Sequence, residues 1–589
     1  MPAYKAPVED MVYLLGELFD AEGVLAPLCG ENASLDLMSA VLGEAARFCE
    51  EVVHPLNRTG DEEGCHFDAG SVRTPKGVKE AFAAFVENGW VSLSGDPEYG
   101  GQGMPRVVQV LTDEMLSSAN LSFGLFPGLT HGATEAIRHH ASDALKALYL
   151  PKMVAGTWTG AMDLTEAHAG TDLGLLRTRA EPQDDGSYRI TGTKIFISAG
   201  DHDLAENIIH LVLARLPGAP AGTQGISLFL VPKFIPDADG NPGVRNAFAA
   251  GAIEHKMGIK GSPTCVMNFD GATGWLVGEP NKGLAAMFTM MNNERLFVGI
   301  QGLGAAEAAY QGAAAYAKDR LQGRAPAGGP GPQPILVHPD VRKNLLTVRA
   351  FTEAGRALAV WTALEMEKAE RHPDTGVRAA ADDLVALMTP VIKAAFSDLG
   401  FEGAVLAQQV FGGHGYIREH GMEQLVRDAR ITQIYEGTNG VQAMDLVGRK
   451  LTMAGGRLPE RFFALVGDVL QAGEGVPGAG EFVAPLRGAL TRLKTTTARL
   501  KDRAAADPAE AGAAATDYLR LFALTALGWM WARMALHALA QGEAAGPRHR
   551  AKLEVARFFM ARVLPQTVAL ELALDAGAAS LMSLDADAF

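Results

Sequence analysis

The sequence predicts an α+β fold in which helical and β segments follow one another in blocks along the chain. Apolar residues recur at helical spacing before about residue 160 and again after residue 281, and β-branched runs of strand length lie between them. The length of 589 residues indicates several domains. We expect five successive segments: 1–34 (an N-terminal extension), 35–160 (helical), 161–280 (β), 281–450 (helical) and 451–589 (a further helical domain).

The N-terminal block carries two clear helical patterns, from Ala6 to Phe19 and from Leu35 to Val52. A Gly- and Pro-rich stretch at residues 97–105 predicts a loop between the later helices of this block.

The β block contains a hairpin signal. The polar turn sequence Asp184-Asp185-Gly186-Ser187 leads into β-rich residues at 188–191 and 194–198. Residues 207–216 and 225–231 are apolar, β-branched runs of strand length, so we expect a strand at each.

The third block returns to helical spacing, with Leu284, Met287, Phe288 and Met291 on one face. A Gly- and Pro-rich stretch at 322–334 predicts an exposed loop between two helices. The glycines at 299, 302 and 304 lie inside a helical pattern, which favours helix–helix contact over a dinucleotide-binding turn. In the last block, the Ala-rich residues 504–516 are poorly patterned and we expect a loop there.

Composition narrows the function classes. Apolar residues make up 48% and the net charge is −16, which fits a globular protein and disfavours general nucleic-acid binding. The four cysteines lack CxxC or histidine spacing, and no HExxH or GxxxxGK[ST] motif occurs, so we expect no metal site and no Walker loop. With no signal peptide and no uncharged run of membrane-spanning length, we expect a cytoplasmic protein without a membrane span.

The segment from Arg427 to Asn439 is the most informative part of the chain. We expect a helix to reach Tyr435, Gly437 to break it and Thr438 to cap the next helix. Glu436 then lies at a junction between helices, where a dry pocket would suit a carboxylate to general-base work. The alternative is a surface acid at a helix start, and this segment alone favours that alternative.

Two further segments carry chemistry. The hydroxyls and backbone N–H groups of Met162–Asp172 can hold a planar polar ring, or they can form an ordinary turn between domains. The glycines of Gln409–Tyr416 let the backbone approach a phosphate, or they can form a helix C-cap and a tight turn.

Taken together and in this order, the three segments resemble the acyl-CoA dehydrogenase family over about residues 35–450. That family typically has a Thr-Glu-Pro-x-Ala-Gly-Ser-Asp segment, a Lys-x-Trp-Ile-(Ser/Thr) strand, a Gln-x-x-Gly-Gly-x-Gly-(Tyr/Phe) turn and an Ile-Tyr-Glu-Gly-Thr site. The resemblance implies a helical N-terminal domain, a middle β-barrel or sandwich domain and a C-terminal four-helix bundle. The extra helical section after Lys450 resembles long bacterial members, including 3-methylmercaptopropionyl-CoA and broad-range fatty acyl-CoA dehydrogenases.

The resemblance implies site residues one by one. Glu436 matches the catalytic base. The positions that match FAD contacts are Met162, Leu164, Thr165, Gly170, Thr171, Phe196, Ser198, Arg320, Gln409, Gly413 and Thr438. The positions that match acyl-CoA contacts are Thr171, Arg295, Glu436 and Gly437. Gln409 and Gly413 match residues that reach the FAD of a neighbouring subunit.

The chain departs from the family pattern at several of these motifs. Phe196 stands where tryptophan is usual, and Ala167-His168 where Pro-Gly is usual. Asn292 stands where aspartate is frequent, and Asn439-Gly440 where Ser-Gln is frequent. Leu321-Gln322-Gly323 and the long loop after it replace Thr-Phe-Gly after the arginine that matches a pyrophosphate contact.

The activity implied by the resemblance is α,β-dehydrogenation of an acyl-CoA to a trans-2-enoyl-CoA, as in fatty-acid β-oxidation. Glu436 takes the α-proton, its backbone N–H and a ribityl hydroxyl stabilise the enolate, and the β-hydride goes to flavin N5. The implied partners are an electron-transfer flavoprotein and a second copy of the chain in a homodimer. Two alternatives stay open: an acyl-CoA oxidase, and a DNA-associated flavoprotein suggested by a cluster of basic residues at 487–503.

Overall fold

Helices account for most of the described residues, and strands occur only between residues 66 and 277 of that part of the chain. The structure, a computed structural model, describes residues 2–326 and 328–589. The chain forms two compact units. We call residues 44–297 the β-containing unit and residues 2–43 with 298–589 the helical unit.

The α-helices are numbered in chain order. They are α1 (Val8–Tyr13), α2 (Ala21–Cys29), α3 (Leu35–Phe48), α4 (Pro55–Glu63), α5 (Val78–Glu87), α6 (Arg106–His140), α7 (Asp143–Val154), α8 (Gly283–Asp319), α9 (Pro339–Arg371), α10 (Thr375–Val410), α11 (Met422–Arg430), α12 (Asn439–Asp445), α13 (Arg457–Ala472), α14 (Gly480–Ala506), α15 (Pro508–Ala540), α16 (Pro547–Phe558), α17 (Gln566–Asp575) and α18 (Ala579–Met582). The two predicted N-terminal patterns are confirmed as α1 and α3, each extended by a π-helical turn.

The strands lie in the β-containing unit. They are β1 (His66–Asp68), β2 (Ser71–Arg73), β3 (Trp158–Asp163), β4 (Arg179–Pro182), β5 (Tyr188–Ser198), β6 (Asn207–Arg215), β7 (Ile226–Pro232), β8 (Phe234–Pro236), β9 (Pro242–Arg245), β10 (Phe248–Ile253) and β11 (Thr264–Val277). The predicted hairpin is confirmed as β4 and β5, which pair antiparallel from Pro182 opposite Tyr188. Asp185 stabilises the turn because its carboxylate accepts hydrogen bonds from the N–H and the hydroxyl of Ser187.

The main sheet closes on itself, as the resemblance to the acyl-CoA dehydrogenase family implied. β11 pairs with β5, β5 with β4, β4 with β6, β6 with β7, and β7 returns to β11. Its interior is filled by residues such as Ile190, Phe229 and Met267, none of them more than marginally exposed. Every residue of β7 is buried, whereas β5 alternates, so the face of β5 that is not in the core remains accessible.

In the helical unit, α8 and α10 approach closely through glycine. A Cβ atom on Gly302 would lie 2.4 Å from the carbonyl oxygen of Phe396, and one on Gly400 would lie 2.3 Å from that of Gly302. A Cβ on Gly299 would also lie 2.6 Å from Ile392. The prediction that the glycines of α8 serve helix packing is therefore confirmed at positions 299 and 302.

The helix α10 is the one described helix that is long and apolar enough to cross a membrane by composition. In its most apolar stretch, 72% of the residues are buried inside the protein. α10 contacts α9, α11 and α12. These contacts account for its apolar character as a core helix of the bundle.

The prediction of a loop at residues 504–516 was wrong. α14 continues to Ala506, only Asp507 intervenes, and α15 begins at Pro508. The Asp507 side chain accepts a hydrogen bond from the N–H of Ala509, so Asp-Pro forms an N-cap and first-turn pair. Alanine stabilises the flanking turns by its helix propensity, which needs no apolar periodicity.

Buried charges join the two ends of the chain within the helical unit. Lys552 donates to Asp10 at 2.5 Å and to Glu353 at 2.8 Å, and Arg356 donates to Asp10 at 2.7 Å and Glu307 at 3.0 Å. Burial alone would raise the pKa of Asp10, but Lys552 and Arg356 lower it to about 2. α1, α8, α9 and α16 are thus tied by one ionic network.

The four cysteines are free thiols. Burial raises the pKa of each of them above its ordinary value, to about 11 for Cys29 and about 12 for Cys65 and Cys265. They are therefore weak nucleophiles and poor metal ligands near neutral pH.

Candidate active site

A buried carboxylate organises the loop that follows β3. Glu166 accepts hydrogen bonds from the N–H of Arg177 at 2.7 Å and from the N–H and hydroxyl of Thr178 at 3.0 and 2.6 Å. The ammonium of Lys194 lies 2.9 Å away, and both side chains are almost fully buried. Burial raises the pKa of Glu166, but Lys194 and these hydrogen bonds outweigh it and hold the pKa at about 2.

Lys194 also fixes the backbone that carries the predicted cofactor residues. Its ammonium donates to the carbonyl of Leu164 at 3.0 Å, and the N–H of Ile195 donates to the carbonyl of Thr165 at 2.9 Å. The structure thus brings the loop after β3 beside β5. Burial lowers the pKa of Lys194, and the attraction of Glu166 opposes that change.

The other predicted residues of this region differ in their exposure. Met162 is half-buried near the end of β3, whereas Gly170 and Thr171 are exposed. Asp172 then begins a 3₁₀ turn by accepting a hydrogen bond from the N–H of Gly174 at 3.0 Å. Backbone and hydroxyl groups of the loop are therefore available to a ligand.

Phe196 is the most unusual residue of β5. Its φ of 59° is left-handed, a strained conformation for an aromatic residue, and its side chain is 60% exposed. The pairing of β5 with β11 slips by one residue at this point, and Ser198 follows, half-buried, opposite Thr264. An exposed aromatic face on strained backbone, next to the loop that Lys194 holds, fits a planar ring system such as a flavin.

Arg295 lies on α8 and is only 5% exposed. Its guanidinium lies 5.6 Å from the ring centre of Phe288 and 3.5 Å from the side-chain oxygen of Asn292. The structure therefore places this arginine inside packed side chains, and its role toward an acyl-CoA stays a prediction.

The segment around Glu436 differs from the sequence prediction in one respect. The helix expected to reach Tyr435 ends earlier, because α11 stops at Arg430 and a 3₁₀ turn follows at Ile431–Gln433. Glu436 and Gly437 then adopt left-handed conformations, with φ values of 57° and 80°. A left-handed residue cannot continue a helix, so helical structure cannot extend past Tyr435.

Glu436 is half-buried, and its Oε2 atom is buried from solvent. Thr438 caps α12 as predicted, since its hydroxyl accepts a hydrogen bond from the N–H of Val441 at 3.4 Å. The junction between helices that the sequence predicted is thus confirmed. Strained backbone conformations of this kind cluster at functional sites, which is consistent with the predicted role of Glu436.

The departure at Asn439 has a structural explanation. Its amide NH₂ donates to Asp398 at 2.7 Å and to Ser397 at 3.0 Å, and its amide oxygen accepts from buried Lys393 at 2.9 Å. These bonds tie the first turn of α12 to α10. Sequence reasoning missed Lys393 and Asp398, and the unusual Asn439 was the one signal that pointed to them.

The Gly-rich turn and Arg320 lie near each other in the helical unit. The hydroxyl of Tyr316 lies 2.8 Å from Nδ1 of His414, and its ring stacks on Phe411 at 4.1 Å. Arg320 follows at the end of α8, and its side chain is exposed. Gln409 and Gly413 are exposed as well, so this surface presents a guanidinium, an amide and a glycine turn together.

Known families match the chain in consecutive stretches. The acyl-CoA dehydrogenase N-terminal, middle and C-terminal domains match residues 38–157, 161–272 and 281–451, and an acetyl-CoA dehydrogenase C-terminal-like domain matches residues 462–585. The chain is 43% identical to 3-methylmercaptopropionyl-CoA dehydrogenase of Ruegeria pomeroyi over 95% of its own length and 96% of the relative's. The chain belongs to the acyl-CoA dehydrogenase family. Enzymes of this family are oxidoreductases that use FAD.

Two further similarities place this acyl-CoA dehydrogenase among long members. It is 33% identical to the broad-specificity linear acyl-CoA dehydrogenase FadE5 of Mycobacterium tuberculosis, over the full length of both chains. Its fold is similar to that of Caenorhabditis elegans ACDH-11 in complex with C11-CoA, with a TM-score of 0.79, 21% identity and coverage of 95% and 91% of the two chains.

A carboxylate–histidine cluster lies elsewhere in the helical unit of this dehydrogenase. Glu17 lies 2.9 Å from Nε2 of His549 and 3.5 Å from Nε2 of His537. The N–H of Gly546 points to Nδ1 of His549, so the proton of the neutral ring is on Nε2 and faces Glu17. With Arg548 beside Glu17 as well, the cluster is better described as a hydrogen-bonded link between the chain ends than as a cation site.

Proposed function

We propose that this enzyme desaturates an acyl-CoA to a trans-2-enoyl-CoA with Glu436 as the general base. The observation that carries the proposal is the left-handed backbone of Glu436 at the junction before α12, followed by Gly437. A carboxylate held there in one direction can take the α-proton of a thioester positioned against it. Bound FAD supplies the oxidant that accepts the β-hydride.

The α-proton of a thioester is weakly acidic, so the site must stabilise negative charge at the thioester oxygen. We assign that role to the backbone N–H of Glu436, which the strained junction fixes together with the side chain. Gly437, Thr171 and Arg295 are the other residues that we propose for acyl-CoA contacts. Because Arg295 is buried, we expect it to act by supporting Asn292 and Phe288 as well as by its charge.

We propose two groups of FAD contacts. Met162, Leu164, Thr165, Gly170, Thr171, Phe196 and Ser198 form the first group, in the β-containing unit, around the exposed face of Phe196. Arg320, Gln409, Gly413 and Thr438 form the second group, in the helical unit, where the exposed guanidinium and glycine turn suit a pyrophosphate. The exposed residues Gln409, Gly413 and Tyr416 also support a homodimer in which a second copy meets this surface.

For the substrate, we propose a small acyl-CoA and take 3-methylmercaptopropionyl-CoA as the first candidate. The support is the 43% identity to the Ruegeria pomeroyi enzyme of that name. The Mycobacterium tuberculosis relative named for linear acyl-CoAs makes straight-chain substrates, and hence fatty-acid β-oxidation, the second candidate. We further propose a cytoplasmic enzyme that passes its electrons to an electron-transfer flavoprotein.

The decisive experiment mixes the purified holoenzyme anaerobically with a panel of acyl-CoAs and follows the visible absorption band of the flavin. We expect one subset of the panel to bleach the wild-type flavin. Glu436→Gln should keep FAD and bind the same acyl-CoA but reduce its flavin at least ~10²–10⁴-fold more slowly, as expected when a general base is removed. Bleaching of Glu436→Gln at the wild-type rate would refute the assignment of the base.

The oxidase alternative is separated by the reoxidation step. An oxidase would convert oxygen to peroxide at each turnover, whereas we expect little peroxide and rapid reoxidation only by an electron-transfer flavoprotein.

The DNA-associated alternative rested on the basic residues of α14. Arg499 pairs with Glu571 at 2.9 Å and with Asp575 at 3.1 Å, Arg487 pairs with Glu474 at 3.1 Å, and Arg503 pairs with Glu510. Because these carboxylates pair with Arg487, Arg499 and Arg503, they reduce the positive charge that the cluster presents, and the dehydrogenase remains the function that we propose.

A further inference from the structure

The backbone at Glu436, the proposed base, has a conformation that other side chains must stabilise. Glu436 and Gly437 are two successive residues with positive φ, and only the second is a glycine. A glutamate in this conformation is strained and persists only when its surroundings hold it. On its N-terminal side, the hydroxyl of Tyr435 donates to the side-chain oxygen of Gln301, a fully buried residue of α8.

On its C-terminal side, the support is Gln442. This residue of α12 is fully buried, and its amide NH₂ donates to the carbonyl oxygen of Glu436 at 3.1 Å and to that of Gly437 at 3.4 Å. A Cβ atom on Gly437 would lie 2.7 Å from the same nitrogen, so the amide occupies the inside of the turn. Its oxygen is buried, and no residue in the described parts of the chain donates to it.

The orientation of this amide is therefore determined by the two carbonyls. Only the NH₂ end of the side chain can donate, and both acceptors belong to the peptide groups that follow Glu436. Holding these two consecutive peptide planes restrains the backbone from which the Glu436 side chain projects. α12 itself is anchored on α10, because Asn439 bonds to Lys393 and Asp398.

We propose that Gln442 is a positioning residue for the catalytic base: it holds the carboxylate of Glu436 in its productive direction through the carbonyls of residues 436 and 437. The proposal rests on the proposed function of Glu436. We expect Gln442 to affect the rate of flavin reduction and not the binding of FAD or acyl-CoA, because its side chain is fully buried. A small displacement of a reacting group lowers a rate by up to roughly 10²-fold.

The first variant is Gln442→Met, which keeps the length of the side chain and removes the donor. In the holoenzyme, using 3-methylmercaptopropionyl-CoA or whichever acyl-CoA bleaches the wild type fastest, stopped-flow absorbance gives the flavin reduction rate at saturation. We expect this rate to fall roughly 10- to 100-fold, while FAD content and acyl-CoA affinity stay within about threefold of the wild type. A wild-type rate, or loss of FAD, would overturn the proposal.

The matched control is Gln311→Met. The amide of Gln311 also bonds to backbone in the helical unit, donating to the carbonyl of Lys5 at 2.7 Å and accepting from its N–H at 2.9 Å. Its loss should leave the flavin reduction rate at the wild-type value, because those bonds hold the N-terminal segment. A fall equal to that of Gln442→Met would show a general effect of losing a side-chain amide that is bonded to backbone, and it would overturn the proposal.

The second variant is Gln442→Glu. It allows the flavin reduction rate of a single variant to be compared at two pH values. A protonated carboxyl can donate to a carbonyl, whereas a carboxylate repels both carbonyls of the turn. Its reduction rate relative to the wild type should therefore rise at least severalfold as pH falls from 8 to 6. A ratio that does not change with pH would contradict positioning by donation, even if Gln442→Met failed to fold.

Failure of the proposed function would look different. If no acyl-CoA bleached the wild-type flavin, or if Glu436→Gln were as fast as the wild type, the base itself would be misassigned. If Glu436→Gln were inactive and Gln442→Met were fast, the base would stand and the positioning role of Gln442 would be refuted.

Discussion

The buried pair of Lys194 and Glu166 is expected to decide the stability of the loop that carries the cofactor residues. Lys194→Met removes the ammonium but leaves a carboxylate that is 4% exposed with its bonds to Arg177 and Thr178. It also removes the donor to the carbonyl of Leu164. Leaving one partner of a buried ion pair without its counter-ion destabilises a protein by about 3–5 kcal/mol.

For a domain of the size of the β-containing unit, a loss of 1 kcal/mol in stability lowers the Tm by about 2–4 °C. The Lys194→Met variant should therefore unfold roughly 10 °C below the wild type. The assay is a thermal unfolding curve of the holoenzyme, followed by circular dichroism and by the fluorescence of released flavin. We expect flavin release to move with the unfolding transition, since the same lysine holds Leu164 and the strand that carries Phe196.

The double variant Lys194→Met with Glu166→Gln removes both charges and should recover most of the lost stability. Lys282→Met is the control, because Lys282 pairs with Glu279 in the same unit while both remain largely exposed. Its unfolding temperature should equal that of the wild type. The reasoning is refuted if Lys194→Met unfolds at the wild-type temperature, or if the double variant is no more stable than the single one.

Three further predictions concern the pH dependence of Glu166, two helix glycines and the turn after Glu436. The pKa of Glu166 is lowered from 4.5 to about 2, so its stabilising effect is complete above pH 4.5 and is lost as pH falls toward 2; acid unfolding curves should show this component in the wild type and not in the double variant. Gly302→Ala should destabilise the helical unit by about 1–3 kcal/mol, because its Cβ would lie 2.4 Å from the carbonyl oxygen of Phe396. Gly512→Ala should instead stabilise α15 by about 0.5–1 kcal/mol, because a Cβ at that position would have no atom within 4 Å. The free energy of unfolding of each variant, measured by denaturant titration, distinguishes the two outcomes. Gly437→Ala should lower the flavin reduction rate at least about tenfold with FAD retained, because residue 437 has a φ of 80° and its Cβ would displace Gln442; an unchanged rate would contradict the need for that turn.

The sequence by itself determined the features that depend on neighbouring residues. Helical and strand periodicity gave the order of blocks, the turn at 184–187 gave the hairpin, and the glycines of α8 gave a close helix contact. The cap at Thr438 could also be predicted from the sequence. Its hydroxyl accepts a hydrogen bond from the N–H of Val441, only three residues further along the chain, so the signal is local. The Asp507-Pro508 cap is an equally local signal. The prediction of a loop there was wrong because it relied on the apolar pattern instead of on the helix propensity of alanine.

Only the tertiary structure decided how the candidate site is held. Glu166 and Lys194 are 28 residues apart in sequence, and Lys552 and Asp10 are 542 apart, so no local pattern records either contact. The left-handed conformation of Glu436 is not a preference of glutamate, and it is supported by Gln301 on α8 and Gln442 on α12. Local sequence sets which conformations a segment prefers, whereas the strained conformation at the base is stable only because distant side chains bind it.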